Sequence, residues 1–259
     1  AAGVVVDSNN IEFPIDTSVI VTGFDLGQNT SGGFAEYIRV PSEWVVKCPA
    51  GLSTKEAMML GTAGLTSGLA IDLIQKQYEL EGSKVIVSGA TGGVGSITVR
   101  LLSLIGAEVV AITGKNSEKF LLDLGAAEVI NRTKFIESTK FPMNKGIFNA
   151  AIDVVGGKVL SCIISSMKPN GIITACGNVG GPKFETTVFP FILRANSLIG
   201  IDSANCSIEQ RKLIWHYFSS EWKYNQMQTI SNVVKLDGII PEIKKILKGE
   251  QIGRILLKL

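Results

Sequence analysis

The chain has a single histidine, His216, and four cysteines, Cys48, Cys162, Cys176 and Cys206, none closely spaced. Zinc sites draw several imidazole and thiolate ligands from short spacings, so no zinc constellation is legible. Buried free thiols in a reducing cytoplasm are the simplest use for such cysteines. Charge is also scarce: 19% of residues are charged and the net charge is +2. That balance leaves no electrostatic footprint for nucleic acid or a membrane surface. No continuous apolar run reaches the length of a spanning helix, and nothing at the start reads as a signal peptide. What is abundant is apolar side chain, 46% of 259 residues, enough core for one large domain or two ordinary ones.

The most informative segment is Lys84-Val-Ile-Val-Ser-Gly-Ala-Thr-Gly-Gly-Val-Gly95. Val85, Ile86 and Val87 form the short apolar run of a strand buried on both faces. Gly89, Gly92, Gly93 and Gly95 then let the backbone turn tightly and approach an anion. Residues 96–105 read as a helix whose N-terminus directs free N–H groups at a pyrophosphate. A tight strand-to-helix turn without a ligand is the alternative, but a second strand arrives on cue. This second strand, residues 108–113, lacks the terminal carboxylate that binds a ribose 2′-hydroxyl. It runs instead into Thr113-Gly-Lys115, and Arg132 follows a third strand, residues 128–131. A hydroxyl and two cations at adjacent strand ends suit a 2′-phosphate, which selects NADPH; solvated surface cations are the alternative.

Three zones follow along the chain. Short strands fill the first, with candidates at residues 3–6, 18–22, 33–40 and 44–47. A helix beginning at Thr54 has Ser53 as its expected N-cap. Strands then alternate with helical patterns, the signature of a doubly wound parallel sheet, with later strands at 147–153, 171–176 and 197–201. The tail predicts helices at 208–222 and 239–248 and strands at 230–234 and 253–259. His216 lies among Trp215, Tyr217 and Phe218, where packing is the expected role.

The chain resembles the medium-chain dehydrogenase/reductases, and within them the zinc-independent acryloyl-CoA reductase and quinone oxidoreductase-like group. The resemblance rests on Ser31-Gly-Gly-Phe-Ala-Glu-Tyr37, Gly61-Thr-Ala-Gly-Leu-Thr66, the glycine turn, Thr113-Gly-Lys115, Phe189-Pro-Phe-Ile-Leu-Arg194, Gly200-Ile-Asp-Ser203 and Gly253-Arg254. It implies an α/β fold: a Rossmann NADP-binding domain over residues 61–205, and a GroES-like β domain made of residues 1–60 and 206–259. The family begins with further strands, so the β domain is expected to be partial. Zinc-dependent relatives place a cysteine ligand where this chain has Ala63.

The resemblance also implies a site map. Thr91, Gly92, Gly93 and Val94 would cradle the pyrophosphate. Thr113, Gly114, Lys115 and Arg132 would hold the 2′-phosphate. Asn178, Ile192 and Ser203 would follow the nicotinamide half. Thr62 and Thr66 would be the catalytic hydrogen-bond donors, with helix capping an equally good account of both. Lys115 stands where the family has arginine, and Asn178 where it has leucine. The loop at residues 27–33 lacks the family's histidine and tryptophan; Phe24 and Asn29 are pocket candidates at it, with an ordinary Asn/Gly-rich turn an equally good account of the loop. The implied activity is hydride transfer from NADPH to the C=C bond of an acyl-CoA such as acryloyl-CoA. A quinone or alkenal/one reductase, and a non-catalytic NADPH-binding protein, are the alternatives. No metal, nucleic acid or membrane partner is expected; a cytoplasmic homodimer is.

Overall fold

The structure, a computed structural model, describes residues 1–259. It divides into two units, Ala1–Leu65 with Asp202–Leu259, and Thr66–Ile201. The first unit opens with a three-stranded antiparallel sheet of β1 (Ala2–Val4), β2 (Ser18–Val21) and β3 (Val45–Lys47), in that order. Phe13, Val21 and Val45 are its buried centre, with Ile38, Val40 and Trp44 packed against them. Residues 33–40 form no ladder, contrary to the strand expected there; they run as bends and irregular backbone. Ile38 and Val40 are used in packing instead of in a sheet face, while Phe34 and Tyr37 are exposed.

Helix α1 (Thr54–Gln75) starts where the capping signal places it. The Glu56 N–H donates to Ser53 Oγ at 3.2 Å, and the Ser53 N–H donates to Glu56 Oε2 at 2.8 Å. This reciprocal pair satisfies two helix-start donors. The helix kinks at Gly61, whose φ of 53° and ψ of −150° are not helical. A Cβ at Gly61 would meet Arg254 Nη2 at 2.6 Å, so the guanidinium occupies the space that glycine leaves. By length and composition α1 could cross a membrane, but 83% of its apolar stretch is buried inside the protein. Thr, Ser, Gly and Asp72 interrupt its apolar sequence, which is why no continuous run signals it.

The second unit alternates strand and helix: β4 (Lys84–Val87), α2 (Gly93–Ile105), β5 (Glu108–Thr113), α3 (Glu118–Asp123), β6 (Glu128–Asn131), α4 (Arg132–Ser138), β7 (Phe148–Asp153), α5 (Gly157–Ser165), β8 (Met167–Ala175), α6 (Phe189–Arg194) and β9 (Ser197–Gly200). All six strands are parallel, in the order β6-β5-β4-β7-β8-β9. Val85, Ile86, Val87, Val109, Val110 and Ala111 are fully buried, as strands covered on both faces require. One cluster joins Ile86, Val110 and Phe148 to Ile163, Ile164 and Met167 from α5 and its exit. Helix α2 begins at Gly93, three residues before the apolar pattern predicts, because the last glycines of the turn already carry helical backbone.

In the tail of the first unit, α7 (Ile208–Ser219) begins with a capping box of Ser207 and Gln210. Trp222 lies beyond its end yet packs on Tyr217 and Phe218, with ring centroids 4.7 and 5.8 Å away. His216 is exposed, unlike its buried neighbour Trp215, so the packing role expected of it falls to Trp215. Strand β10 (Ser231–Val234), helix α8 (Ile239–Leu247) and strand β11 (Arg254–Leu257) complete the chain, the two strands pairing in parallel.

Candidate functional site

In the second unit, β4 connects toward β5 and β6 on one side, while β7, β8 and β9 continue on the other. The sheet order therefore reverses between β4 and β7, and loops leaving their carboxyl ends diverge to leave a crevice. Into it opens the turn of residues 88–92. Gly89 has a φ of 58°, and Gly92 N–H donates to the Gly89 carbonyl at 2.9 Å. A Cβ on Gly95 would stand 2.3 Å from the Gly89 oxygen and 2.7 Å from Ala90 Cα. Only glycine lets α2 press this closely on its own entry turn. No side chain caps α2 at Gly92, so the first-turn N–H groups at Gly93 and Val94 are left to an anion.

Thr91 and Thr113 are both buried, and their hydroxyls lie 3.2 Å apart. This contact joins the glycine turn to the end of β5. Thr113 Oγ1 also accepts the Lys115 N–H at 3.0 Å, which shapes the loop after β5. Arg132, the first residue of α4, lays its guanidinium over Gly114: a Cβ there would meet Nη2 at 2.9 Å. Partial burial, and secondarily the charge of Arg132, hold the Lys115 ammonium below the ordinary lysine range. Two cations are thus gathered at the ends of β5 and β6. Ser117, in the same loop, is buried and its hydroxyl has no partner. Sequence reasoning passed over Ser117; its hydroxyl carries no spacing signal.

Beyond β7 two further turns pack backbone to backbone. A Cβ on Gly157 would stand 2.3 Å from the Gly180 oxygen, and one on Gly177 would stand 2.1 Å from Val154 O. Asn178 is exposed in the second of these turns. Ile192 is exposed on α6, which packs on β8. Thr66 is buried in α1. Thr91, Gly92, Gly93, Val94, Thr113, Gly114, Lys115 and Arg132 are therefore brought together, with Asn178 on the neighbouring turns.

The other expected residues belong to the first unit. Thr62 is exposed and lines a cavity of about 1640 Å³ with Gly61, Arg254, Val5 and Tyr37. Ser203 gives its carbonyl to Arg211 Nη2 at 3.1 Å. Phe24 lies between Trp44, stacked at 5.4 Å, and the Arg211 guanidinium at 4.2 Å, so its ring is committed to packing. Asn29 Nδ2 donates to Asp25 Oδ1 at 3.0 Å, closing an ordinary polar turn. No group of three His, Cys, Asp or Glu side chains could hold a metal ion.

Comparison with known proteins agrees with this architecture. Residues 93–218 match the family described as zinc-binding dehydrogenase. YhfP of Bacillus subtilis, whose name assigns it a quinone oxidoreductase activity provisionally, is 41% identical over all of this chain and 79% of its own. Acrylyl-CoA reductase AcuI of Ruegeria pomeroyi is 32% identical over 99% of this chain and 78% of its own. The crystal structure of Escherichia coli YhdH with bound NADPH superposes with a TM-score of 0.95 at 35% identity, covering 99% of this chain and 80% of that one. YhfP with bound NAD superposes with a TM-score of 0.95 at 40% identity, covering all of this chain and 79% of that one. With a doubly wound sheet, a glycine turn at its switch point and relatives of this identity over four-fifths of their length, the chain belongs to the zinc-independent group of the medium-chain dehydrogenase/reductases.

Proposed function

We propose that this chain binds NADPH and reduces the C=C bond of a short α,β-unsaturated thioester such as acryloyl-CoA, without zinc. The observation that carries the reading is the pairing of Lys115 and Arg132 beside the glycine turn. Lys115 is half-buried and Arg132 is exposed beside it, and a ribose 2′-phosphate is a multivalent anion that both cations can hold. The cradle fits the cofactor: glycines that let the turn close on the helix start, an uncapped helix N-terminus and an unpartnered Ser117 hydroxyl. The name of AcuI supports the substrate class.

The reduced nicotinamide supplies a hydride. The N–H groups of Gly93 and Val94 would hold the pyrophosphate with the Thr91 hydroxyl, and Lys115, Arg132, Thr113 and Ser117 would hold the 2′-phosphate. Asn178, Ile192 and Ser203 would follow the nicotinamide half. Hydride addition at the β-carbon leaves negative charge on the thioester oxygen, which needs preorganised donors. Thr62 and Thr66, one turn apart on α1, are assigned as those donors. A proton then reaches the α-carbon from solvent. Residues 1–60 and 206–259 are assigned to a GroES-like domain. The four free cysteines suit a reducing cytoplasm. The exposed apolar rim of Val188, Phe189 and Leu193, ahead of edge strand β9, suits a homodimer, testable by light scattering.

The test is NADPH oxidation at 340 nm with acryloyl-CoA, beside NADH and a quinone. Turnover with acryloyl-CoA and a preference for NADPH are expected. Turnover with the quinone alone would replace the reading by quinone reduction, which the name of YhfP favours. NADPH binding without turnover of any acceptor would leave a binding protein.

A further inference from the structure

Asp153 ends β7 fully buried, and every hydrogen-bond partner of its carboxylate is neutral. Oδ1 accepts the Ser88 hydroxyl at 2.6 Å and the Val155 N–H at 3.4 Å. Oδ2 accepts the Gly156 N–H at 2.7 Å. Ser88, also fully buried, follows β4 directly, and its Oγ accepts the Val154 N–H at 2.9 Å. Strands β4 and β7 are the pair between which the sheet order reverses, and Ser88 and Asp153 extend their register by one step beyond Val87↔Ile152. The bond therefore crosses the head of the crevice.

Burying a carboxylate without a counter-cation is costly, and an apolar or amide residue would satisfy the core with less penalty. Burial pushes the Asp153 carboxyl up, and the three hydrogen bonds pull it back. Local capping of the turn after β7 would need only the two backbone N–H groups. The additional bond from Ser88 ties that turn to the glycine turn. Gly89, the next residue, faces Val154 and Val155, with 3.1 Å between its would-be Cβ and Val155 Cγ2.

We propose that Ser88 and Asp153 are positioning residues, a pin across the switch point that fixes the glycine turn so that its N–H groups meet the pyrophosphate. The inference rests on the reading of this turn as the cofactor site. The pin acts on the pyrophosphate end of the crevice; Lys115 and Arg132, at the ends of β5 and β6, lie outside its hydrogen-bond set. The two ends can be titrated separately, with NADPH and with adenosine 2′-monophosphate.

Ser88→Ala deletes one atom and Asp153→Asn keeps the side-chain shape. Binding of both ligands is measured on the full chain by calorimetry or ligand NMR, with the double variant completing a cycle. Each single substitution is expected to weaken NADPH about tenfold while leaving adenosine 2′-monophosphate within about twofold. The double variant should lose little beyond the worse single, because both residues act through one bond. Unchanged NADPH affinity in Ser88→Ala overturns the pin, even if Asp153→Asn fails to fold. Parallel weakening of both ligands also overturns it, as a global loss of structure would do. A wild-type chain that does not bind NADPH overturns the cofactor reading beneath it, a distinct result.

Discussion

The Arg132 guanidinium lies over Gly114, close enough to the Lys115 ammonium that its charge adds to burial in holding that lysine below its ordinary range. Neither strand end alone makes this relationship; β5 and β6 must pair in register, Thr113 beside Asn131, to bring the two loops together. Each cation on a 2′-phosphate is worth about 1.5–3 kcal/mol, so Lys115→Ala or Arg132→Ala should raise the Kd for NADPH about 10- to 150-fold. NADH, lacking that phosphate, should change by less than about threefold in either variant. Equal losses for both nucleotides would contradict the assignment.

The depressed lysine also predicts a trade-off with stability. A lysine whose folded pKa lies below its unfolded value disfavours the folded state while it is protonated, and the penalty fades as pH rises through the lowered pKa. Lys115→Met should therefore leave the ligand-free Tm unchanged or raise it by about 1 °C at neutral pH, the size of an ordinary surface substitution. NADPH binding should restore the lysine's proton affinity, so affinity should fall at alkaline pH before an ordinary lysine titrates. A Lys115→Arg variant stays charged throughout and should lose that dependence.

Gly95 offers a steric test of the same turn. Its Cβ would overlap backbone atoms of Gly89 and Ala90, which cannot rotate away as a side chain can. Gly95→Ala should cost about 1–3 kcal/mol through overpacking and abolish measurable NADPH binding at micromolar concentrations. Gly82 is the control, with a φ of 67° but nothing within 4 Å of its would-be Cβ. Gly82→Ala should cost about 1 kcal/mol of backbone strain and leave nucleotide binding intact. Thermal shift with and without NADPH separates the two.

The Rossmann half was legible because its signals are local. Apolar triplets such as Val85 to Val87, glycines at fixed offsets and cations just past strand ends survive without knowledge of neighbours. Ser88, Asp153 and Ser117 were not legible, because a buried polar residue is recognised only by what surrounds it. An aspartate closing an apolar strand reads like any loop residue until its burial is known. Residues 33–40 show the converse: a strand needs a partner ladder, and alternation alone cannot supply one. Phe24 read as a pocket residue because its two stacking partners, Trp44 and Arg211, lie far along the chain.

Arg211 makes a further prediction in the first unit. It is buried, and its five donated bonds reach Thr22 O, Thr22 Oγ1, Ser203 O, Ala204 O and Cys206 O. A lysine reaches the same depth but cannot span both sides with a fork. Arg211→Lys should destabilise by about 2–4 kcal/mol, since several carbonyls lose their donors in a buried place. Chemical denaturation followed by tryptophan fluorescence would measure it, Trp44 and Trp215 both lying near the arginine. A loss below about 0.5 kcal/mol would show that water replaces the guanidinium there.

Cys176 reports on the charge of Asp153. Its thiol donates to the Asp153 carbonyl at 3.5 Å, and burial together with the nearby carboxylate pushes its pKa up to about 12. At pH 8.5 an ordinary thiol is about half ionised, so iodoacetamide should alkylate Cys176 about 1000-fold more slowly than a free cysteine. Peptide mass spectrometry distinguishes it from Cys48 and Cys206, which burial also raises, with the Glu56 charge adding to it at Cys48 and the Arg211 charge opposing it at Cys206. Asp153→Asn removes the electrostatic part and keeps the larger part, burial, so labelling should quicken but stay slower than in the urea-unfolded chain. Labelling of Cys176 as fast as Cys48 in the wild type would mean that the turn opens and the burial of the thiol is lost. Unchanged labelling in Asp153→Asn would mean that burial alone sets the thiol, and that the charge at the head of the crevice is not felt one strand away.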